Sequence, residues 1–581
     1  MYTWNLDDLY HDFDETFQSD LERFKDSIKV YETLSKELSS LQSLEGWLKH
    51  DQETSILLRS LFTFTNLRMS TNATDAQASK AYGTLVGLMS QLSGPNALFK
   101  DFLSKSKDEF KTWVTMSDLV KEHEFVLQEI IDAASHNLSE EVENAIAKVS
   151  INAGKNWSQL HSHLTATTTI DFNGEPHTIT SLRNFAFSND ATLRKDAYLK
   201  ELEIYTKIED STAFALNSIK GEVNELSALR GYDSALEETL VDSRLSQKTL
   251  DALMASIERY TPHFRRYLKH KAKLLGHENG LPWYDLFAPF ETKNPKTYSV
   301  EESREFIVDS FEDFSDDLAD LARTAYDKEW IDFLPRQGKR GGAFCMNLPQ
   351  IKQSRIMTNF DGSTSALVTL AHELGHAYHG LRIQDHSILN TAYTMPVAET
   401  ASTFCENIVL NAALKTASDD EKLVLIENSI QDSTQIIVDI ASRYKFETEV
   451  FNRRKDDFLF ANDLNEIMIQ AQKDTYGDGL DPDSLHPYMW VNKGHYYRPT
   501  LSFYNFPYAF GGLFALGLYA KFEQEGPSFV ANYDALLSAT TTASCEDVAK
   551  MANIDVEDQA FWDSSLDQVV KRIDDFISLT Q

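Results

Sequence analysis

A mainly α-helical chain with one small β-sheet is the fold class this sequence predicts, and three observations carry it. Apolar residues recur at steps of three and four through most of the chain, the spacing that places them on one helix face. Alternating, β-rich runs are confined to a few short segments. Hydrophobic residues make up 42% and charged residues 25% of the 581 positions, the balance of an ordinary globular protein. A chain of that length can bury a large core and is expected to divide into more than one lobe.

Leu21, Phe24, Ile28, Tyr31, Leu34, Leu38 and Leu41 form the first helical stripe, and similar stripes recur through residue 270. Ile170–Ile179 alternates around Asn173-Gly174, a pair that tolerates the positive φ of a tight hairpin turn. This hairpin, near 168–180, is expected to close an N-terminal helical lobe of residues 1–185. Gly280 to Val300 is a proline- and aromatic-bearing connection, at whose end Ser299 and Glu302 have the spacing of a capping box. Arg336–Gly342 is a basic, glycine-rich loop, expected to be flexible, in an otherwise acidic chain. Two short strands should follow, near Ala343–Asn347 and Arg355–Phe360, and then a helix that carries residues 372–376. Pro396 suits the first turn of another helix. Leu501–Ala520 is uncharged and long enough to span a bilayer. It also holds Asn505, Pro507, three glycines and three tyrosine hydroxyls, so it reads as a buried helix lining a site.

The chemistry concentrates in His372-Glu-Leu-Gly-His376. At about 100° per residue, histidines four apart lie side by side and can close on one zinc ion. Glu373 projects beside them, within reach of a water such an ion would activate. With His372 at 0°, Leu367, Leu370, Ala371, Leu374, Tyr378 and Leu381 cluster at about 160–260°, so the helix has a core face opposite its histidine face.

A catalytic zinc takes three protein ligands and keeps a fourth position open. The continuation that supplies a third histidine fails, because His379 and Arg382 occupy its two diagnostic places. A glutamate from the next helix is the other common solution. Within Pro396–Glu406, Glu399, Thr403 and Glu406 fall on one face while Ala401, Phe404, Cys405 and Ile408 fall on the other.

These segments resemble the oligoendopeptidase F branch of the thimet oligopeptidase superfamily: His372-Glu-Leu-Gly-His376 and Glu399-Thr-Ala-Ser above all. Trp4–Tyr10 is similar to that branch's opening, and Gly342-Ala-Phe344 lies about thirty residues before the zinc helix, as in the family. His495-Tyr-Tyr497 with Phe503–Tyr508 resembles its His/Tyr segment. The resemblance covers nearly the whole chain. It implies two helical lobes around a deep substrate channel, with the small sheet beside a gluzincin-type zinc helix, and a catalytic region of residues 186–581. It implies one Zn2+ per chain on His372, His376 and Glu399, Glu373 as general base, and His495 with a tyrosine stabilising the oxyanion. Of Tyr497, Tyr504 and Tyr508, Tyr504 is favoured for that role. Tyr497 and Tyr508 then join Gly342, Ala343 and Phe344 as substrate-facing residues, and Glu406 is placed to orient a ligating histidine.

Internal cleavage of short unstructured peptides is the activity expected. The alternative within enzymes is a zinc carboxypeptidase or peptidyl-dipeptidase, for which Lys339, Arg340 or Arg498 would anchor a terminal carboxylate. A non-catalytic peptide-binding protein is the rival from another class. A net charge of −34 argues against nucleic acid and anionic membranes as partners. Cys345, Cys405 and Cys545 form an odd set without metal spacing, and the N-terminus lacks the basic start and apolar run of a signal peptide; a cytoplasmic setting is expected. His161 and His163 lack a third metal ligand and read as surface residues. His379 lies on the metal face of its helix, near substrate or in plain packing. Oligomeric state is not legible in the sequence.

Overall fold

The structure, a computed structural model, describes residues 2–292 and 296–581; Met1 and part of the 280–300 connection lie outside the described residues. Helices dominate, and among the described residues the sheets have two and three strands. The first stripe folds as α1, Glu15–Glu37, which buries Phe17, Leu21, Phe24, Ile28 and Tyr31. Asp14 starts it by accepting the N–H groups of Thr16 and Phe17. Its partner α2, Leu41–Thr71, opens on a capping box between Ser40 and Ser43. Two apolar clusters drawn from residues 10–131 form the core of this N-terminal part, with Leu389 packed against one of them.

The hairpin forms as β1, Thr169–Phe172, and β2, Glu175–Thr178, turning at Asn173 (φ 58°) and Gly174 (φ 84°). Its buried residues Ile170 and Phe172 share a core with Phe446, Leu464, Trp490 and Tyr496, nearly three hundred residues downstream. Ser299 and Glu302 make the capping box their spacing predicts.

Three strands compose the second sheet: β3 (Ile331–Asp332), β4 (Phe344–Leu348) and β5 (Gln353–Met357), in the order β3-β5-β4. β4 pairs antiparallel with β5 in the register Phe344↔Met357 to Leu348↔Gln353, and β3 runs parallel to β5. The second strand begins two residues earlier than the sequence suggests and stops at Met357. Beyond it the Thr358 and Phe360 amides still donate to Asp332 and Phe333. β4 is therefore a sheet edge. The N-terminal segment braces the same sheet: Asn5 N–H donates to Glu329, the Phe333 amide to Tyr2, and Trp4 stands edge-on to Phe344.

The loop 336–342 is not free. Buried Asp332 needs counter-charge and receives both Arg336, at 2.6 and 2.8 Å, and Lys339 at 2.6 Å. The Arg340 amide donates to Ser70 at the end of α2.

Helix α3, Thr364–Ile383, buries Leu367, Leu370, Ala371, Leu374 and Tyr378 as its apolar face requires. A short turn, Met395–Ala398, leads into α4, Thr400–Thr416, with Glu399 at the joint (φ −94°, ψ 7°). α3 and α4 touch backbone to backbone at Gly375, where a Cβ would lie 2.5 Å from the Ala401 carbonyl oxygen and 2.6 Å from Ser402 Cα. The uncharged run becomes α5, Phe506–Glu525, buried on almost every side within the largest core. Among the described residues no helix is long and apolar enough to cross a membrane.

Candidate metal centre

Close approach at Gly375 brings the histidine face of α3 against the start of α4. His372 Nε2 and His376 Nε2 lie 3.1 Å apart, and Glu399 Oε2 is 3.3 Å from the first and 3.4 Å from the second. Among the described residues this is the group of three donors able to hold one metal ion. Ligands at about 2.1 Å in tetrahedral directions stand about 3.4 Å apart, so the triangle fits zinc and leaves a fourth direction open.

Neighbours hold the side chains of two ligands and the backbone of the third. His372 Nδ1 is 2.6 Å from Glu406 Oε1, which fixes the tautomer that turns Nε2 toward the centre. Ser402 donates to Glu399 Oε2 at 2.7 Å, and the Asn347 amide of β4 donates to the His376 carbonyl at 3.0 Å. Ser402 belongs to the Glu399-Thr-Ala-Ser motif but carries no role in the sequence reading, and Asn347 does not figure in it as a site residue. Only the three-residue step from Glu399 to Ser402, one helical turn, could have signalled the first; nothing local signals the second.

Electrostatics follow this arrangement. Burial opposes charge on His372, yet Glu406 and Glu399 outweigh it and lift its pKa to about 9 in the metal-free chain. Burial together with His372 drives His376 down to about 4 despite Glu399. Glu373 is pushed up to about 7, first by burial and then by Glu399 and Glu406, and its Oε2 is buried without a partner. It is poised to exchange a proton near neutrality.

His495 is held down at about 3 by burial and by Arg443, Lys220, Lys493 and Arg498, so its imidazole is neutral. Its Nε2 is buried without a partner. Phe503, at φ 51° and buried against Phe451, turns the chain into the Tyr504 position. Tyr504 reaches Met395, four residues before Glu399, and stands edge-on to Tyr508, with His495 6.1 Å away between ring centroids. Burial, Tyr504 and Glu399 all raise the Tyr508 pKa, and the ring itself is partly exposed. Gly342, at φ 80°, is exposed ahead of β4, and its carbonyl accepts from Asn359; Ala343 and Phe344 are half-buried.

Three readings need correction. Tyr497 does not face substrate: it is fully buried and stacked at 3.5 Å on His161. His161 in turn is buried and bonded to the Val491 carbonyl, because its helix, Gly154–Thr167, turns it inward; His163 is exposed. Lys339 is committed to Asp332 and cannot anchor a carboxylate, whereas Arg340 and Arg498 are exposed. His379 is packed, stacked on Tyr393 and bonded to Thr540.

Comparison with known proteins identifies the family. The model of peptidase family M3 matches residues 185–568, and one described as oligopeptidase F matches residues 102–169. The chain is 23% identical to oligopeptidase PepF of Bacillus subtilis, over 95% of this chain and 83% of that one. It is 24% identical to an oligoendopeptidase F homolog of Borreliella burgdorferi, over 96% of each. In structure it is similar to an oligoendopeptidase-F from Enterococcus faecium, with a TM-score of 0.72 and 19% identity over 97% of this chain and 99% of that one. A crystal structure from Chlamydophila abortus gives 0.89 and 20% over 100% and 98%.

Proposed function

The chain belongs to peptidase family M3, and on that premise we propose that it is a zinc-dependent oligoendopeptidase cutting internal bonds of short, unstructured peptides. The observation that carries the reading is the triangle of His372 Nε2, His376 Nε2 and Glu399 Oε2 with Glu373 beside it. Those three residues would hold one zinc per chain. Bound there, zinc would supply Lewis acidity toward a carbonyl and lower the pKa of a water.

The chain's own groups do the rest. Glu373 takes the proton of the attacking water and returns it to the leaving amine. Neutral His495 and the Tyr504 hydroxyl donate hydrogen bonds to the oxyanion that develops at the attacked carbonyl. Tyr508 flanks them. Residues 342–344 lead into the free edge of β4, along which an extended peptide pairs its backbone. Glu406 and Ser402 hold His372 and Glu399 in place. The charge of −34 and three free cysteines support a cytoplasmic setting away from polyanions.

Metal analysis should find about one zinc per chain, as a three-ligand site requires. Peptides blocked at both ends should be cut internally, with chelation abolishing turnover. Glu373→Gln should retain zinc and lose activity by orders of magnitude. Cuts confined to two residues from a free C-terminus would move the assignment to a peptidyl-dipeptidase.

A further inference from the structure

A cavity of about 650 Å³ lies between α2 and the edge of β4. Ser55, Leu58, Arg59 and Phe62 wall it on the α2 side, and Cys345, Met346 and Asn347 on the β4 side. Its wall includes Gly380 and Ile383 of α3, the helix that carries the two histidines. Asn347 is bonded to the His376 carbonyl, and Tyr393, another lining residue, is stacked on His379. A peptide extended along β4 therefore runs into this space.

Arg59 is the one charged residue among those lining the cavity. No carboxylate of the described residues forms an ion pair with it; its one hydrogen bond goes from Nη1 to Thr391 Oγ1 at 3.2 Å. The chain carries 89 acidic against 55 basic residues, and its buried cations are commonly matched, as in Arg194–Asp285, Lys220–Glu447, Lys271–Glu427 and Lys339–Asp332. Withdrawing a guanidinium from water costs energy, which shows as a lowered pKa, and at Arg59 no protein carboxylate offsets it. The planar guanidinium fork accepts a carboxylate through two parallel hydrogen bonds. Most of its N–H groups remain available for one.

We infer that Arg59 is a specificity residue that binds a carboxylate of the peptide substrate in the cavity between α2 and β4. The inference rests on the proposed peptidase reading and deepens it: the enzyme selects peptides that carry a negative charge at a fixed distance from the cut bond. That carboxylate comes either from an Asp or Glu side chain or from the free C-terminus, and the two are separable.

The test compares peptides of one sequence as free acid and as C-terminal amide, and a second set in which Glu replaces Gln at each position in turn. The proteins are full-length wild type, Arg59→Gln and Arg59→Glu. Binding is read by fluorescence anisotropy in a Glu373→Gln background, so that it does not depend on turnover, and kcat/KM is read with Glu373 intact. One carboxylate, terminal or side-chain, should improve wild-type binding about tenfold or more, as a charge-assisted pair does. That preference should collapse toward one in Arg59→Gln and reverse toward Lys-bearing peptides in Arg59→Glu. Loss on amidation identifies the C-terminus as the source; loss on Glu→Gln at one position identifies a side chain. A structural role for Arg59 would weaken acid and amide, Glu and Gln, by the same factor, and that outcome overturns the inference. Equal wild-type binding of all charge variants overturns it too. Failure of any peptide to be cut, with the binding preference intact, would instead count against the peptidase reading alone.

Discussion

At the residue scale the candidate metal group depends on side chains outside the three that would hold an ion. Glu406 takes the Nδ1 side of His372 at 2.6 Å, so Glu406→Gln should keep the fold while lowering zinc affinity roughly tenfold to a hundredfold. Competition against a fluorescent chelator measures this, with Glu399→Gln expected to lose more because it removes a ligand. If Glu406→Gln proves the more damaging change, the two carboxylates have exchanged roles. His379 carries a second prediction. It is fully buried, and burial with His376 drives its pKa down to about 3, against about 6.5 in an unfolded chain. Below about pH 6.5 the unfolded chain binds a proton that the folded one refuses. The stability is thus fully present above 6.5 and is lost as pH falls toward 3, at about 1.4 kcal/mol per pH unit. Urea midpoints of metal-free protein should fall on acidification, and His379→Gln should flatten that dependence. An unchanged slope in the variant would show that other groups govern it.

At the element scale, the sequence is most legible where structure is set locally. The apolar stripe of α3, the Asn173-Gly174 turn and the Ser299/Glu302 box are each decided by neighbours within a few residues, and each forms as spacing predicts. The joint at Glu399 is different. Pro396 signals a helix start, yet the chain needs a short turn before α4 so that Glu399 can face α3. Gly375 makes that meeting possible. A Cβ there would press on backbone atoms of Ala401 and Ser402, which cannot swing aside as a flexible side chain would. Gly375→Ala should therefore cost about 1–3 kcal/mol in urea unfolding, the usual range for overpacking, and should weaken zinc binding by moving Glu399 away from the histidines. A variant as stable and as zinc-loaded as wild type would mean that the helices have room the geometry does not show.

At the scale of the whole molecule, what the sequence hides is long-range contact. Arg59 and Thr391 are 332 positions apart, and Asn347 meets His376 across the gap between sheet and helix. Tyr497 and His161, two residues that read as surface or substrate groups, stack at a core assembled from residues 170–219 and 446–497. No periodicity reports such partners, because tertiary packing chooses them. The same assembly sets the size of substrate. His372, His376 and Glu399 keep 24%, 19% and 30% of their side chains exposed, and cavities of about 650 and 560 Å³ lie toward β4 and toward Tyr504. On the proposed reading, a bond is attacked here only if several residues around it are extended along β4, each advancing about 3.3 Å. A short flexible peptide adopts that shape at small cost, whereas a folded domain must first lose its own strand or helix pairing. Peptides of roughly 6–20 residues, enough to pair with the edge and fill both cavities, should be cut readily, while a stable globular domain should survive the same incubation intact by mass spectrometry. Efficient degradation of that domain by wild type, with Glu373→Gln inactive as the control, would show that the site is open and that the oligopeptidase reading is wrong.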